Sequence, residues 1–452
     1  MAKTTASALS SIPSTNTKEK HIMSITLTDI INSKANGLVR HAALEPLAGP
    51  GTPIAPATYA PSKEAKANDS RNRLNMNAPV VRIGEDGFIE SDPTENTKSV
   101  VILSTPAAAH RAQTALWNDK ELQRWLPGIV VDSDVSDKDF EAGIADAIKA
   151  HPNLDLEEHR QELARLVENT HISSWELAHR HIGAEIRYSN LDNGKNLWSQ
   201  KDSDEFRQVT SPDPKVIAKT SINSLIWGYW LSTGALETHR RSRAVEHEII
   251  GYGASEDEVR ASKMSGIPAS SHDTLYLDSE GQIQLNSTGK KVKGEKSPSQ
   301  MMLGMVPAQG VMHYTCTDII SRASISLNTL VAKSRREGLS ENVIKALVGL
   351  SILALEYAEE DLNIRSTCNL IETGDVAWGL RKRGAARPER IDLDIDAIRE
   401  ETLEALKACV AEGNFDGDDE GVDRIVLKAS KGLVATTASA YATVFGNVKD
   451  EA

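Results

Sequence analysis

Aromatic residues are scarce in this chain, only 4% of its 452 residues, so any core must be built mainly from aliphatic side chains. Cysteine is nearly absent: Cys316, Cys368 and Cys409 lie far apart and share no metal-ligand spacing, which argues against a zinc site or a disulfide framework. So sparse a count fits a reducing cytoplasm. No apolar run is long enough for a membrane span. The most apolar stretch, 343–355, carries Lys345 and Gly349 and is shorter than the ~20 residues a bilayer requires. The first 20 residues lack the apolar block of a signal peptide. Positive charge is in deficit as well, 51 Lys+Arg against 64 Asp+Glu, a formal net charge of -13. That excludes a protein coated all over with phosphate-binding cations but leaves room for a local basic groove. Conventional catalytic signatures are missing too: no Gly-x-Ser-x-Gly, no phosphate-binding Gly-x-x-x-x-Gly-Lys-Ser/Thr and no dinucleotide fingerprint.

What the chain does contain is 40% apolar residues, enough for one large domain with insertions or two moderate ones. Residues 1–20 read as a disordered tail, because they offer little to bury. The Pro- and Gly-rich run 44–61 reads as extended loop, and the polar segment 62–78, with Lys63, Lys66, Arg71 and Arg73, as a basic loop. Val80–Ile83 and Val100–Leu103 are β-branched runs that predict strands. Thr105 as cap and Pro106 as first helical residue predict a helix to about Trp117. A second helix is expected from Asp155 to Val167, and a buried strand over 221–230. Residues 254–300 read as a projecting insertion. They hold Lys290, Lys291, Lys293 and Lys296 and a hairpin, TLYLDSEGQIQLNS, turning at Ser279-Glu280-Gly281. Ser340 should cap a long helix to about Glu360, and an amphipathic helix should run from Asp394 to Glu412, stopped by Gly413. The acidic run 413–421 lacks the residue order of a calcium loop and reads as a solvated turn.

Local cation clusters are the features that could carry chemistry. Arg111 sits beside His110 on the helix after the strand. His179, Arg180, His181 and Arg187 fall within nine residues. Arg240, Arg241 and Arg243 form a tight arginine cluster, and Lys296 opens a Gly-containing segment, KSPSQMMLGMVPAQGVM, with Gly304 and Gly310. Arginine offers a planar fork of donors that fits phosphate oxygens and stacks on bases. Each cluster has an ordinary alternative, a solvated face paired with nearby Glu176, Glu185, Glu246 or Glu248. If 179–181 were extended, His179 and His181 would share a face and could begin a metal site, with no third ligand evident.

Taken in order, these segments resemble the RAMP-type backbone subunit of the CRISPR type I-G (formerly I-U) Cascade. ALEPLAGPGTPIAPATYA (43–60) is similar to that family's Leu-x-Pro, Gly-x-Gly, Pro-x-Thr-Tyr segment. STPAAAHRAQTALW (104–117) resembles its Ser-rich helix carrying Asn-Arg, with His110 in place of the Asn and Arg111 kept. SSWELAHRHIGAEIRYS (173–189) matches its Pro-His-Arg and later Arg at His179, Arg180 and Arg187, but departs at Ala178, Gly183 and Ser189. SINSLIWGYWLSTG (221–234) keeps Gly228, Trp230, Ser232 and Thr233, and RSRAVEHEIIGYGA (241–254) keeps Arg243, Ala244, Glu248 and Ile249. SPSQMMLGMVP (297–307) and IRSTCNLI (364–371) resemble the last two segments. The resemblance spans residues 42–372.

The resemblance implies an α+β chain: a ferredoxin-like, RRM-related RAMP palm over 21–375, large insertions acting as fingers and thumb, and a helical C-terminal extension over 376–452. The 62–78 loop is then the candidate finger and 254–300 the candidate thumb. It implies a non-enzymatic crRNA-binding protein that polymerises along a guide RNA in a helical filament. Its partners would be that RNA, target DNA through the guide, further copies of itself and other Cascade subunits, with no cofactor, metal or membrane. Arg111, His179, Arg180, Arg187, Arg240, Arg241, Arg243 and Lys296 are the expected RNA contacts. Three other readings stay open: a RAMP endoribonuclease using His110, His179 or His181; a metal-dependent hydrolase using His179, His181 and His247; and a self-assembling protein without RNA.

Overall fold

A computed structural model of the chain describes residues 25–56, 74–134, 137–231, 239–263, 274–301 and 306–445, apart from positions 153, 155, 279–281, 287–291 and 293. The first half holds α1 (Leu27–Asn32), β1 (Gly37–Pro46), β2 (Leu74–Ile83), β3 (Ile89–Leu103), α2 (Thr105–Asn118), α3 (Lys120–Trp125), β4 (Ile129–Asp132), α4 (Lys138–Ala150), α5 (Arg160–Glu168), β5 (Ile172–Ser173) and α6 (Ala184–Arg187). Next come α7 (Asp204–Thr210), α8 (Pro214–Ser221), α9 (Asn223–Trp227), β6 (Tyr229–Trp230), β7 (Arg240–Arg241), β8 (Val245–Tyr252), β9 (Ser255–Lys263), β10 (Thr274–Leu277), β11 (Ile283–Asn286), β12 (Val306–Thr315) and β13 (Asp318–Ile325). The rest comprises α10 (Ser334–Arg336), α11 (Glu341–Glu359), β14 (Asn363–Arg365), β15 (Cys368–Arg381), β16 (Glu389–Ile391), α12 (Ile395–Ala411), β17 (Gly417–Asp418), β18 (Gly421–Val422), β19 (Ile425–Lys428) and α13 (Lys431–Phe445). The class is α+β.

The central sheet runs β14-β15-β1-β13-β8-β3-β2, with β16 on β15, and every pairing in it is antiparallel. In β1 each second residue from Leu38 is buried, the alternation of a sheet with one covered face. That face meets α11, whose middle is apolar except for Ser351, and α2 packs beside it on β8. A smaller layer stands apart: β19-β4-β5, with β19 and β4 parallel, is packed against α4, α5 and α13. The end of the chain thus returns to complete a layer begun near residue 129.

Several expectations hold. The strands expected at 80–83 and 100–103 lie within β2 and β3, and the two hairpin arms are β10 and β11. Ser340 caps α11 by accepting from the Val343 N–H, and Asp394 caps α12. Others need correction. The stretch 221–230 is not one buried strand: α9 takes up its middle, Asn223–Trp227, with every side chain buried, and strand is confined to Tyr229 and Trp230 in β6. Residues 74–78 of the expected basic loop belong to β2, and the remainder of that loop lies outside the described residues, as do the tail 1–20 and Lys290, Lys291 and Lys293. The helix expected from Asp155 starts at Arg160 with His159 as its cap position. The cap of α2 is Ser104, so Thr105 is already helical. The 375/376 boundary falls inside β15, and 376–452 contributes strands as well as α12 and α13.

Candidate nucleic-acid interface

Asp213 caps α8 by accepting from the Lys215 N–H at 2.9 Å, and Pro214 starts the helix with its φ already set. The chain then turns through α9 and leaves it at Gly228, with φ 72° and ψ 171°. That conformation is essentially reserved for glycine. A Cβ there would also lie 2.5 Å from the Arg241 carbonyl oxygen and 2.7 Å from the Arg243 nitrogen. Gly228 therefore lets β6 and β7 close into a two-stranded ribbon, with Tyr229 opposite Arg241 and Trp230 opposite Arg240. Because side chains alternate along a strand, each pair belongs to one face of the ribbon.

Tyr229 and Arg241 form the inner face. Arg241, 9% exposed, donates to both carboxylate oxygens of Glu337, at 3.2 and 2.9 Å. Tyr229 meets the His181 ring edge-to-face at 4.9 Å. His181 is fully enclosed, with Nδ1 2.7 Å from Ser224 Oγ. Burial, then the neighbouring Arg180 charge, pushes the His181 imidazole down to about 3, so it is neutral at physiological pH.

Arg180 ties this face to the body. It adopts φ 54°, donates from Nε to Gln113 Oε1 at 2.9 Å, and from Nη1 to the Gly228 carbonyl at 2.8 Å. Both acceptors are neutral. Burial, followed by repulsion from Arg243, brings Arg180 down to about 10, which leaves it charged. Beneath it Asn223 donates to Gln113 Oε1 and to the Ser174 carbonyl, and Ser221 donates to Asn223 Oδ1 at 2.6 Å. This buried polar floor fixes the guanidinium and, through Gly228, the ribbon.

Trp230 and Arg240 form the outer face. Trp230 is 63% exposed and Arg240 is exposed beside it, with Arg243 half-buried two residues past β7. Four arginines, 180, 240, 241 and 243, thus gather around one short ribbon, and Glu337 engages Arg241 among them by hydrogen bond. Such a site can attract anions to an edge that presents an aromatic ring.

The other expected contacts lie elsewhere. Arg111 donates to the Asp361 carbonyl beyond α11. Arg187 sits over the Trp198 and Tyr188 rings, at 5.1 and 5.7 Å, near the smaller layer. Lys296 is exposed and pairs by its backbone with Leu275 of the hairpin. His179 is exposed, but 180–182 form a 3-10 turn rather than a strand, so His179 and His181 do not share a face. A single channel lined by all eight residues is therefore not what the fold builds. His110 is exposed on α2, and His247 is buried with Nε2 2.6 Å from Glu359. Among the described residues no group of three or more His, Cys, Asp or Glu side chains is placed to hold a metal, and no helix is long and apolar enough to cross a membrane. Gln113 and Glu337, which position the ribbon, escaped sequence reasoning. They stand 67 and 96 residues from their arginine partners, and no local spacing marks them.

Residues 38–256 match the family described as CRISPR-associated protein GSU0053, a span that includes the whole ribbon. A chain of the solved "CRISPR RNA-guided surveillance complex, pre-nicking" is similar at 10% identity with a TM-score of 0.30, the likeness covering 89% of this chain and 99% of that one. No curated protein matches the chain in sequence.

Proposed function

We propose that this chain is a guide-RNA-binding backbone subunit of a type I CRISPR effector complex, with a binding role and no catalytic one. The observation that carries the reading is the ribbon of Arg180, Arg240, Arg241 and Arg243 around Gly228, a concentrated cationic edge on a chain whose net charge is -13. The match to a CRISPR-associated family over the residues that build this edge supports it. So does topology. The path β15-β1-β13-β8, with α2 before β8 and α11 after β13, has the order and antiparallel sense of a ferredoxin-like βαββαβ palm. On that reading β2–β3 and β9–β12 are insertions into the palm, and 254–300 is the thumb of the RAMP plan.

The division of labour follows from exposure. Arg240 and Arg243 reach phosphates, while Arg180 and Arg241 add field from behind and hold the ribbon in shape. Contacts to phosphate and sugar carry no sequence information, which suits a protein that must hold any guide and leave its base edges to pair with target DNA. Further copies and other complex subunits would follow along the strand, an open head-to-tail assembly.

Titrating a single-stranded repeat-spacer RNA against the wild type and the Arg240→Ala/Arg243→Ala double variant tests this. Each lost phosphate contact should shallow the slope of log affinity against log salt by ~0.7, so by about 1.4 for the pair. Equal affinity and equal slope for both proteins would overturn the assignment.

A further inference from the structure

We infer that the turn between β15 and β16 is a second grip on the RNA, in which Arg381 and Arg383 hold backbone phosphates at the same end of the central sheet as the ribbon. The segment 381–390 holds Arg381, Lys382, Arg383, Arg387 and Arg390, five cations in ten residues of a chain whose net charge is -13. It lies beyond the residues that match the family. Ion pairs fix its shape. Arg387 donates from Nε and Nη2 to the two carboxylate oxygens of Asp86, at 2.9 and 2.6 Å, and from Nη1 to the Ile89 carbonyl at 3.2 Å. Lys382 pairs with Glu389. Arg381 donates to the Ala386 carbonyl at 3.2 Å and meets no carboxylate among the described residues, and Arg383 makes no hydrogen bond or ion pair there. Both are exposed, and a Cβ added to Gly384 beside them would meet no atom within 4 Å. Two cations thus staple the turn while two others stand out from it.

Register sets where the turn lies. Val245 of β8, Ile325 of β13, Leu38 of β1 and Leu380 of β15 stand in one row across four neighbouring strands. Arg243 comes two residues before that row and Arg381 one residue after it, both at the same end of the sheet. Three strand spacings, about 14 Å, separate β8 from β15 there. Strand alternation turns Arg381 away from buried Leu380, to the face of His41. On that face burial, then the charges of Arg322, Arg381 and Arg387, push the His41 imidazole down to about 4. Arginines from β13, from the end of β15 and from the turn therefore add their fields over one patch. The occupant that fits is a strand with an anion at every residue. The turn has no large apolar side chain to anchor a protein partner: its uncharged residues are Gly384, Ala385, Ala386 and Pro388. Guanidinium forks match phosphate oxygens, and phosphate contacts ignore base identity, as a guide-holding chain requires.

The inference rests on the RNA-binding reading, and the experiment separates the two. The probe is the single-stranded repeat-spacer RNA, titrated over a range of salt. Arg381→Ala/Arg383→Ala should shallow the slope of log affinity against log salt by about 1.4, and combining it with Arg240→Ala/Arg243→Ala should shallow it by about 2.8. Arg381→Lys/Arg383→Lys should keep most of the wild-type slope, since it keeps the charge. Because both residues are exposed, the variants should unfold within about 2 °C of the wild type. If Arg381→Ala/Arg383→Ala binds with wild-type affinity and slope while the ribbon variant is weakened, the second grip is refuted and the RNA-binding reading stands. If it changes only the association of protein copies without RNA, the turn meets an acidic protein surface and the inference falls. If the wild type binds no RNA, the functional reading falls and this inference with it.

Discussion

His181 shows how a residue that looks like chemistry in the sequence becomes structure in the fold. Flanked by Arg180 and packed on Tyr229 and Ser224, it has no room for a proton's charge. Its folded value of about 3 lies below the ordinary 6.5 that applies when the chain unfolds. Below 6.5 the unfolded chain therefore binds a proton that the folded chain refuses, so stability is full above that pH and falls as the pH drops, until about 3. Between pH 6.5 and 5 this single group should cost about 2 kcal/mol. Urea unfolding at pH 7 and pH 5 should show the wild type losing about that much more than His181→Gln; equal losses would refute the assignment. The cluster 179–187 was visible in the sequence as cations and imidazoles. Which of them face inward was not, because Gln113, Ser224 and Tyr229 come from two other segments of the chain.

At the scale of elements, one ion network joins two strands of the central sheet to the helix that covers it. Strand alternation points Arg40 of β1 inward between Leu38 and Ala42, where it is 2% exposed. It donates to Glu356 of α11 at 2.8 Å and to Glu372 of β15 at 2.7 Å, with Glu359 at 3.7 Å. Burial alone would lower the Arg40 guanidinium, but these carboxylates outweigh it and hold it raised. Burial likewise works to raise Glu359, yet hydrogen bonding and charge from His247, with Arg40 beyond, bring it below its usual value. Removing Arg40 takes a cation from buried Glu359 and partly buried Glu356 and Glu372, a costlier change than losing a pair outright. Arg40→Met should lower the free energy of unfolding by about 3–5 kcal/mol, read from the urea midpoint at constant m; a loss below about 1 kcal/mol would show that the network relaxes to water. Local signals forecast the caps of α11 and α12 because a cap and its helix are neighbours in the chain. They could not forecast this network, whose members lie 316 and 332 residues apart. The apolar run at 221–230 misled for a related reason: burial on all sides looks the same in a strand and in a short helix.

For the molecule as a whole, polarity marks 254–300 in the sequence as an expected insertion, while the path of the central sheet depends on long-range pairings. Between β8 and β13 the chain runs out on β9 and back on β12, two long strands paired with each other. Lys263 and Val306 stand opposite each other in that ribbon. The β10–β11 hairpin shows Ile283 and Leu285, 50% and 56% exposed, on a single face. An isolated two-stranded hairpin is marginal by itself, and apolar residues on one face gain only when another surface covers them. If the insertion is a thumb, that surface belongs to the next copy on the RNA. Replacing 264–305 by a two-residue Asn-Gly turn, which suits strands already in register, should then leave the palm intact, with the thermal midpoint moved by less than about 5 °C. One copy should bind a short RNA as before, while cooperative filling of a long guide, followed by sedimentation, should disappear. A fall in the midpoint well beyond that would make the insertion part of the core, and cooperative filling that persists would place the contact between copies elsewhere.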